Sequence, residues 1–411
     1  MEEKIIVYGA YWCPDCRRSK RFLSEHQIPF EWIDIEQDET AQAHVEQLND
    51  GKRIIPTILF EDGSYLVEPS NAELAQKLGL ATKDPHEFHE VTIIGAGPAG
   101  LTSAIYNARD GFGVMVIDEG ALGGQAATTE ALDNYPGFPD GIHGAEWSRR
   151  VVAQAKKYGV EFLQAQTVTG IRRGDDGRTL WVKTGDGHEY GSCAVLVATG
   201  ADYRRLGVEG EEDFIGAGVH FCSTCDGPFY KDKEVVVVGG GYSAAEEALG
   251  LLRFTDRVEM LVRGDKLKVS KLVADKVANT SQISIRYNTV VTKLTGNGKL
   301  NNVHIKDKIT GVEDVLHPDG VFVFIGQQPN TGFLAESDVW RDDYGFILTG
   351  HQLIHHPDWP ADQEVPGFLE TSLPGLFAAG DVRANSTKQV ASAAGEGATA
   401  ALLIRECLNE N

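Results

Sequence analysis

Residues 91–111, VTIIGAGPAGLTSAIYNARDG, decide how the chain is read. A short β-favouring run enters a glycine-rich turn and leaves as a helix-forming stretch. In such a unit Gly95 permits the tight turn, Gly97 lets backbone approach a pyrophosphate, and Gly100 allows the helix to pack closely on the strand. About twenty residues on, Asp118 ends the next strand, VMVID, at the place where a carboxylate binds a ribose hydroxyl. The pattern returns at 234–252, EVVVVGGGYSAAEEALGLL, with Gly239 and Gly241 followed by Ser243 and then Ala244 where a third glycine would stand. Arg263 follows the next strand, with Lys266 and Lys268 close by. Basic residues there contact a 2′-phosphate, whereas a carboxylate favours the bare ribose, so the second turn favours NADPH over NADH. Two such units in one chain point to two different nucleotides.

Upstream, residues 1–80 hold a complete small α/β pattern, β-α-β-α-β-β-α. KIIVYGA and PFEWIDI are its first strands, CRRSKRFLSEHQ and the acidic run to Asn49 its first helices. IIPTILFEDGSYLVE reads as a hairpin around Asp62-Gly63, and NAELAQKLGL closes the unit as a helix. Residues 81–90, ATKDPHEFHE, are polar and aperiodic and read as a linker. Ten extended residues reach at most ~35 Å, which keeps the small domain near its neighbour.

A chain of 411 residues has room for two to four domains, and its 42% hydrophobic and 24% charged content is that of a globular protein. The formal charge of −22 repels phosphate backbones and anionic lipid, which argues against nucleic-acid and membrane partners. No apolar run reaches the ~18 residues of a membrane span, and the acidic N-terminus does not resemble a leader, so a cytoplasmic location is expected.

Six cysteines are too few for a disulfide scaffold of this size, and four of them fall in two C-x-x-C pairs, Cys13/Cys16 and Cys222/Cys225. In a reducing compartment such pairs mean redox chemistry or metal. Their separation of about two hundred residues argues against one shared zinc site, and no metal is expected. Cys193 and Cys407 read as small core hydrophobes. The thiolate is the nucleophile, and a helix N-terminus favours it. Cys13 lies at a strand-to-helix junction with Pro14 preorganising the first turn and Arg17 and Arg18 nearby, so Cys13 is expected as the exposed attacker and Cys16 as the resolving thiol. Ile55-Pro56 is the candidate for a cis-proline that presents backbone to a bound chain. At the second pair, Asp226 follows Cys225 directly, and a carboxylate there can shuttle the proton that exchange must move. The Pro- and His-rich stretch 349–367 reads as a surface loop, its His351, His355 and His356 solvated rather than metal-binding.

At this point the motifs carry a resemblance. Through GAGPAG, GGQAATT, DNYPG, VLVATGA, CSTCDG, GGGYSA and LFAAGDV, in that order, residues 91–411 resemble the low-molecular-weight thioredoxin reductases. Through WCPDC, IIPT and the DGS hairpin, residues 1–80 resemble the glutaredoxin and mycoredoxin group. The resemblance implies an α/β chain: an N-terminal thioredoxin-fold (glutaredoxin-like) domain followed by two Rossmann-like nucleotide-binding domains. One is a split FAD domain (91–204 and 325–411), and into it is inserted an NAD(P)H domain (205–324) that carries the CSTC dithiol. It implies FAD held by Gly95, Gly97, Gly100 and Asp118, with Gly124, Gln125, Asn134, Asp381 and Gln389 around the ribityl chain and flavin ring. It makes Cys225 the flavin-facing sulfur and Cys222 the one that attacks substrate. Three departures stand out. The family's HRR-x-x-x-R motif is VRG-x-x-x-K here, keeping Arg263 and Lys268, the glycine-aspartate signature that holds glutathione is replaced by EPSNAEL, and the loop 349–367 is longer than a typical reductase has.

The expected activity is that of a thioredoxin-disulfide reductase-like flavoprotein. Electrons pass from NADPH to FAD, to Cys222/Cys225, to Cys13/Cys16, and on to a protein or small-molecule disulfide, in a homodimer. Two other readings use the same residues. A reductase component for a peroxiredoxin resembles the alkyl hydroperoxide reductase flavoprotein, although that family has two N-terminal thioredoxin-fold units. A non-catalytic flavin redox sensor would consume a single equivalent of NADPH.

Overall fold

The computed structural model describes residues 5–10, 12–26, 28–80, 86–129, 132–360 and 365–410. The small N-terminal unit builds one four-stranded sheet from Ile5–Gly9, Phe30–Asp34, Thr57–Leu59 and Tyr65–Val67. The first two strands pair in parallel and the last two form an antiparallel hairpin. Helices Pro14–Glu25 and Asn71–Lys77 pack on one face, around Val7, Phe22, Leu23, Ile58 and Leu74. Helix Glu39–Leu48 covers the other face through Ala41 and Val45. Asp38 accepts two helix-start amides and Ser70 forms a capping box with Glu73, satisfying donors that a helix start leaves unpaired. Ala165, from the following unit, joins the Phe22/Leu23 cluster, so the small domain's core extends onto its neighbour.

Within the stretch expected as a linker, residues 81–85 lie outside the described residues, and a strand, Phe88–Ile94, already begins at Phe88. Its partner Glu189–Val197 pairs with it from Gly191, and sheet hydrogen bonding overrides the polar composition of 88–90. The sheet runs in the order Glu161–Gln164, Val114–Asp118, Phe88–Ile94, Glu189–Val197, Leu180–Thr184, Val168–Arg173, and Leu376–Ala378 also pairs with the fourth strand. Helices Pro98–Arg109 and Val390–Glu410 pack together on one face, where Gly397 sits so close that a Cβ on it would lie 2.1 Å from the Ala99 carbonyl oxygen.

A second, all-parallel sheet is built from Val219–His220, Gly320–Val323, Glu234–Val238, Arg257–Leu261 and Ile283–Arg286. Its central strand, Glu234–Val238, carries a continuous valine run because both faces are covered. A three-stranded antiparallel sheet, Thr289–Gly296, Leu300–Asp307 and Glu313–Leu316, completes this unit. The chain enters and leaves it through one two-stranded ribbon, Ala201–Tyr203 against Gln327–Pro329, with Tyr203 opposite Gln327.

Candidate active site

Both glycine turns are shaped by what an added side chain would meet. Gly95 has φ +105°, and a Cβ there would lie 2.3 Å from the Ala198 carbonyl oxygen; on Gly100 it would lie 1.9 Å from that of Gly95. Gly97, which starts helix Pro98–Arg109, faces open space instead. The second turn repeats the logic. Gly239 (φ +151°) is blocked by the Phe324 carbonyl at 2.3 Å and by Ala244, while Gly241, starting helix Tyr242–Leu251, faces open space. Each turn is locked onto its sheet and leaves one glycine and a helix N-terminus accessible, a fit for an approaching pyrophosphate.

Around the first turn, Asp118 accepts the Ala96 amide at 2.5 Å and the Gly120 amide at 2.7 Å. The Gly123 amide donates to the Ala96 carbonyl at 2.8 Å, and a Cβ added to Gly124 would lie 3.0 Å from the Gly97 Cα. Gln125 donates to the Ala201 carbonyl at 2.8 Å, on the crossing ribbon. Asn134 donates to Gln389 at 3.0 Å, joining two candidate residues 255 positions apart. Asp381 sits in the turn Gly380–Val382, where burial pushes its carboxyl up; Lys388 donates to its backbone carbonyl, and burial pushes that lysine down to about 8. The same turn is anchored by a buried pair. Arg383 meets Glu396 through two nitrogens at 2.6 and 3.2 Å, and Glu396 also accepts the Gly380 amide at 2.7 Å.

At the second turn, the Lys268 amide donates to the Gly240 carbonyl at 2.7 Å, folding the basic segment back over the glycines. Arg263, Lys268 and Ser243 are exposed, and Ala244 is buried under the turn.

Cys222 and Cys225 form a disulfide, with Cys222 capping the short helix Ser223–Asp226 and its sulfur accepting the Cys225 amide at 3.1 Å. Cys225 is exposed. Phe221, just before the pair, stacks on Tyr203 of the crossing ribbon at 5.3 Å and carries the Arg205 guanidinium 4.4 Å from its centroid. Burial pushes the Tyr203 phenol up to about 12, and the carboxylates of Asp381, Asp226 and Glu247 all act on it in the same direction. One phenol therefore senses the Asp381 turn and the dithiol turn together. Ser223 donates to Glu247, whose carboxyl is pushed up by burial. Asp226 faces His220 at 3.4 Å.

In the small domain Cys13 and Cys16 are free thiols. Cys13 differs from expectation: it is only 5% exposed, because the Ile55–Pro56 segment folds against it and brings the Ile55 carbonyl 3.8 Å from its sulfur. The Ile55–Pro56 bond is cis, and Pro56 is buried. The Cys16 amide donates to the Cys13 sulfur at 3.3 Å, and Cys16, fully buried, is pushed up to about 12, chiefly by burial and also by its contact with Cys13. Arg18 is committed to Asp15 and the Pro69 carbonyl, whereas Arg17 is exposed. Cys193 is exposed rather than core, since it sits on the one outward position of its strand; Cys407 packs against the core. The stretch 349–367 is more ordered than a plain surface loop, with a 3-10 turn Gly350–His355 and His356 stacked on Trp340 at 4.0 Å; residues 361–364 lie outside the described residues. Among the described residues no group of three metal-ligating side chains gathers.

Tyr203, Phe221, Glu247, His220 and the Arg383–Glu396 pair were not found by reading the sequence. Each acquires its role from a partner on another element, and none belongs to a local motif.

Residues 89–397 match the family model described as pyridine nucleotide-disulphide oxidoreductase, and residues 5–65 match the glutaredoxin model. The chain is 40% identical to a thioredoxin reductase of Treponema pallidum (strain Nichols) over 313 residues, covering 76% of this chain and 95% of that one. It is 36% identical to that of Bacillus subtilis (strain 168) over 325 residues, covering 79% and 96%. Among solved structures it is similar to the thioredoxin reductase from Streptococcus pyogenes MGAS5005, with a TM-score of 0.71 at 35% identity, covering 79% of this chain and 100% of that one. The enzyme from Giardia duodenalis gives a TM-score of 0.70 at 32% identity, with the same coverage.

Proposed function

Because the chain belongs to the pyridine nucleotide-disulphide oxidoreductases, and among them to the thioredoxin reductases, we propose that it is a two-station relay. Electrons from NADPH reach Cys222/Cys225, pass to Cys13/Cys16 of the N-terminal glutaredoxin-type domain, and leave to an external protein disulfide. The family is FAD- and NADPH-dependent. The split unit 91–204 and 325–411 is assigned to FAD and the inserted unit 205–324 to NADPH. Gly97 and Gly241, each with open space at a helix start, are the contacts for the two pyrophosphates. Asp118 is the ribose ligand, and Gly124, Gln125, Asn134, Asp381 and Gln389 line the flavin side. Arg263 and Lys268 meet the 2′-phosphate. When bound, the flavin accepts two electrons as hydride from the nicotinamide and passes them to a disulfide.

The observation that carries this reading is the Tyr203–Phe221 stack, which holds the Cys222–Cys225 turn against the ribbon that also feels Asp381. After reduction, the Cys222 thiolate attacks Cys13. The Cys222–Cys13 bond forms, the Cys13–Cys16 bond breaks, and the electron pair leaves on Cys16. Cys16 is a strongly basic leaving group, pushed up to about 12, so its departure needs a proton, and Asp226, next to Cys225 in the dithiol turn, is assigned the proton transfers on the attacking side. Cys225 then attacks Cys222 and frees Cys13. Because Cys13 is 5% exposed, the incoming sulfur must displace the cover supplied by Ile55–Pro56. The working form is a cytosolic homodimer whose partner is a protein disulfide.

The test compares wild type with Cys13→Ser in stopped flow. Flavin reduction by NADPH is unchanged and reduction of a protein disulfide is lost. A variant that keeps full activity toward every protein disulfide tried removes the second station.

A further inference from the structure

Behind the dithiol lies a buried polar line that the relay does not yet use. His220 closes strand Val219–His220 and is 7% exposed. One imidazole nitrogen, Nδ1, faces Asp226 Oδ2 at 3.4 Å, and the other, Nε2, lies 2.6 Å from the Tyr230 hydroxyl. Both rings pack on the fully buried Phe322, at 5.3 and 5.4 Å, which fixes their planes. A Cβ on Gly320 would fall 2.4 Å from the Tyr230 ring, so that ring has no room to shift toward the sheet.

Resting on the relay reading above, we infer that His220 and Tyr230 are positioning residues for Asp226. Tyr230 O–H donates to Nε2 and so fixes the imidazole tautomer; Nδ1–H is thereby turned toward Oδ2, 3.4 Å away; and the carboxylate, so oriented, exchanges protons with the sulfurs. Burial pushes the phenol up to about 12, so it keeps its proton and acts as donor throughout the working range. Other titratable groups surround the unit. They are Cys222 and Cys225 on the same turn, Glu247 from helix Tyr242–Leu251, Asp319 before strand Gly320–Val323, Tyr203 from the ribbon, and Lys233, whose ammonium sits 5.4 Å from the Tyr230 centroid. Among the described residues, His220 is the side chain that faces the Asp226 carboxylate as an ion-pair partner, through Nδ1. In the exchange step the Asp226 carboxylate takes the proton of the attacking dithiol sulfur and releases it to solvent through its 30%-exposed side chain, and the departing Cys16 sulfur is protonated in turn.

The experiment uses the full-length flavin-loaded chain, mixed with NADPH, acid-quenched at intervals and alkylated, so that mass spectrometry reads the reduction of Cys13/Cys16. His220→Leu slows this transfer about 10–100-fold, a share of the ~10²–10⁴ that general acid–base catalysis supplies. Flavin reduction stays within about twofold of wild type. His220→Asn, whose amide N–H takes the place of Nδ1–H, recovers to within about threefold. In an Asp226→Asn background His220→Leu adds nothing, because both changes disable the same proton transfer. The inference is overturned if His220→Leu leaves transfer unchanged, if its effect adds fully to that of Asp226→Asn, or if flavin reduction slows equally. Should His220→Leu fail to fold, Tyr230→Phe, which deletes one oxygen, decides: about a threefold to tenfold slowing is expected, and an unchanged rate overturns the inference. A wild type that never reduces Cys13/Cys16 refutes the relay instead, and the same variants are then compared with added bacterial thioredoxin as acceptor.

Discussion

Glu396→Gln removes one charge from the buried pair that anchors the Asp381 turn. The side chains of Arg383 and Glu396 are 7% and 11% exposed, and glutamine can still accept the Gly380 amide but no longer neutralises the guanidinium. Leaving a buried charge without its partner costs about 3–5 kcal/mol, and the retained acceptor together with the Phe368 ring, 4.9 Å from the guanidinium, argues for the low end. For a unit of some 200 residues, about 3 kcal/mol lowers the melting temperature by about 6–12 °C. The assay is differential scanning calorimetry of the flavin-loaded protein, with flavin fluorescence reporting release in parallel. The double variant Arg383→Met with Glu396→Gln removes both charges while keeping the Gly380 contact, and it recovers to within about 1 kcal/mol of wild type. A single variant melting within about 2 °C of wild type, or a double variant worse than the single, would refute the reasoning.

Gly100→Ala forces a Cβ to 1.9 Å from a backbone oxygen and yields protein that does not retain flavin, whereas Gly97→Ala, facing open space, keeps its melting profile without ligand but binds flavin at least about tenfold more weakly by titration. Cys16, fully buried and pushed up to about 12, stays unmodified by iodoacetamide at pH 8 in the reduced native protein and is labelled only after denaturation; mass spectra showing native labelling would contradict this. Lys388 is held at about 8 in the folded protein against an ordinary 10.5, so the unfolded chain binds more protons between those values and this group makes stability rise with pH across that window. Lys388→Met is therefore expected to flatten that rise in melting temperature between pH 8 and 10, and identical slopes in the two proteins would disprove the assignment.

The glycine turns were legible in the sequence because the motif is short and contiguous, although only Gly100 is blocked from nearby, by the Gly95 carbonyl, while Gly95 and Gly239 are blocked by Ala198 and Phe324 from other segments of the chain. The small domain's seven elements were legible for a similar reason, since alternation, caps and the Asp62-Gly63 turn are all short-range signals. The burial of Cys13 was not, because its cover comes from Ile55, 42 positions away. His220 and Tyr230 lie only ten residues apart, yet their meeting depends on Phe322 from a distant strand. The Arg383–Glu396 pair was not legible either, because it joins the Asp381 turn to the last helix, 13 positions on. The strand starting at Phe88 was hidden by polar composition, because pairing with Glu189–Val197 is a tertiary fact.

The ribbon of Ala201–Tyr203 against Gln327–Pro329 makes the inserted unit a cassette. Its two ends emerge side by side, Tyr203 opposite Gln327, so a short turn joining them would close the host sheet without spanning any gap. Excision of 204–326 should leave a self-sufficient flavin carrier, and a foreign module whose termini lie equally close could be spliced into the same gate.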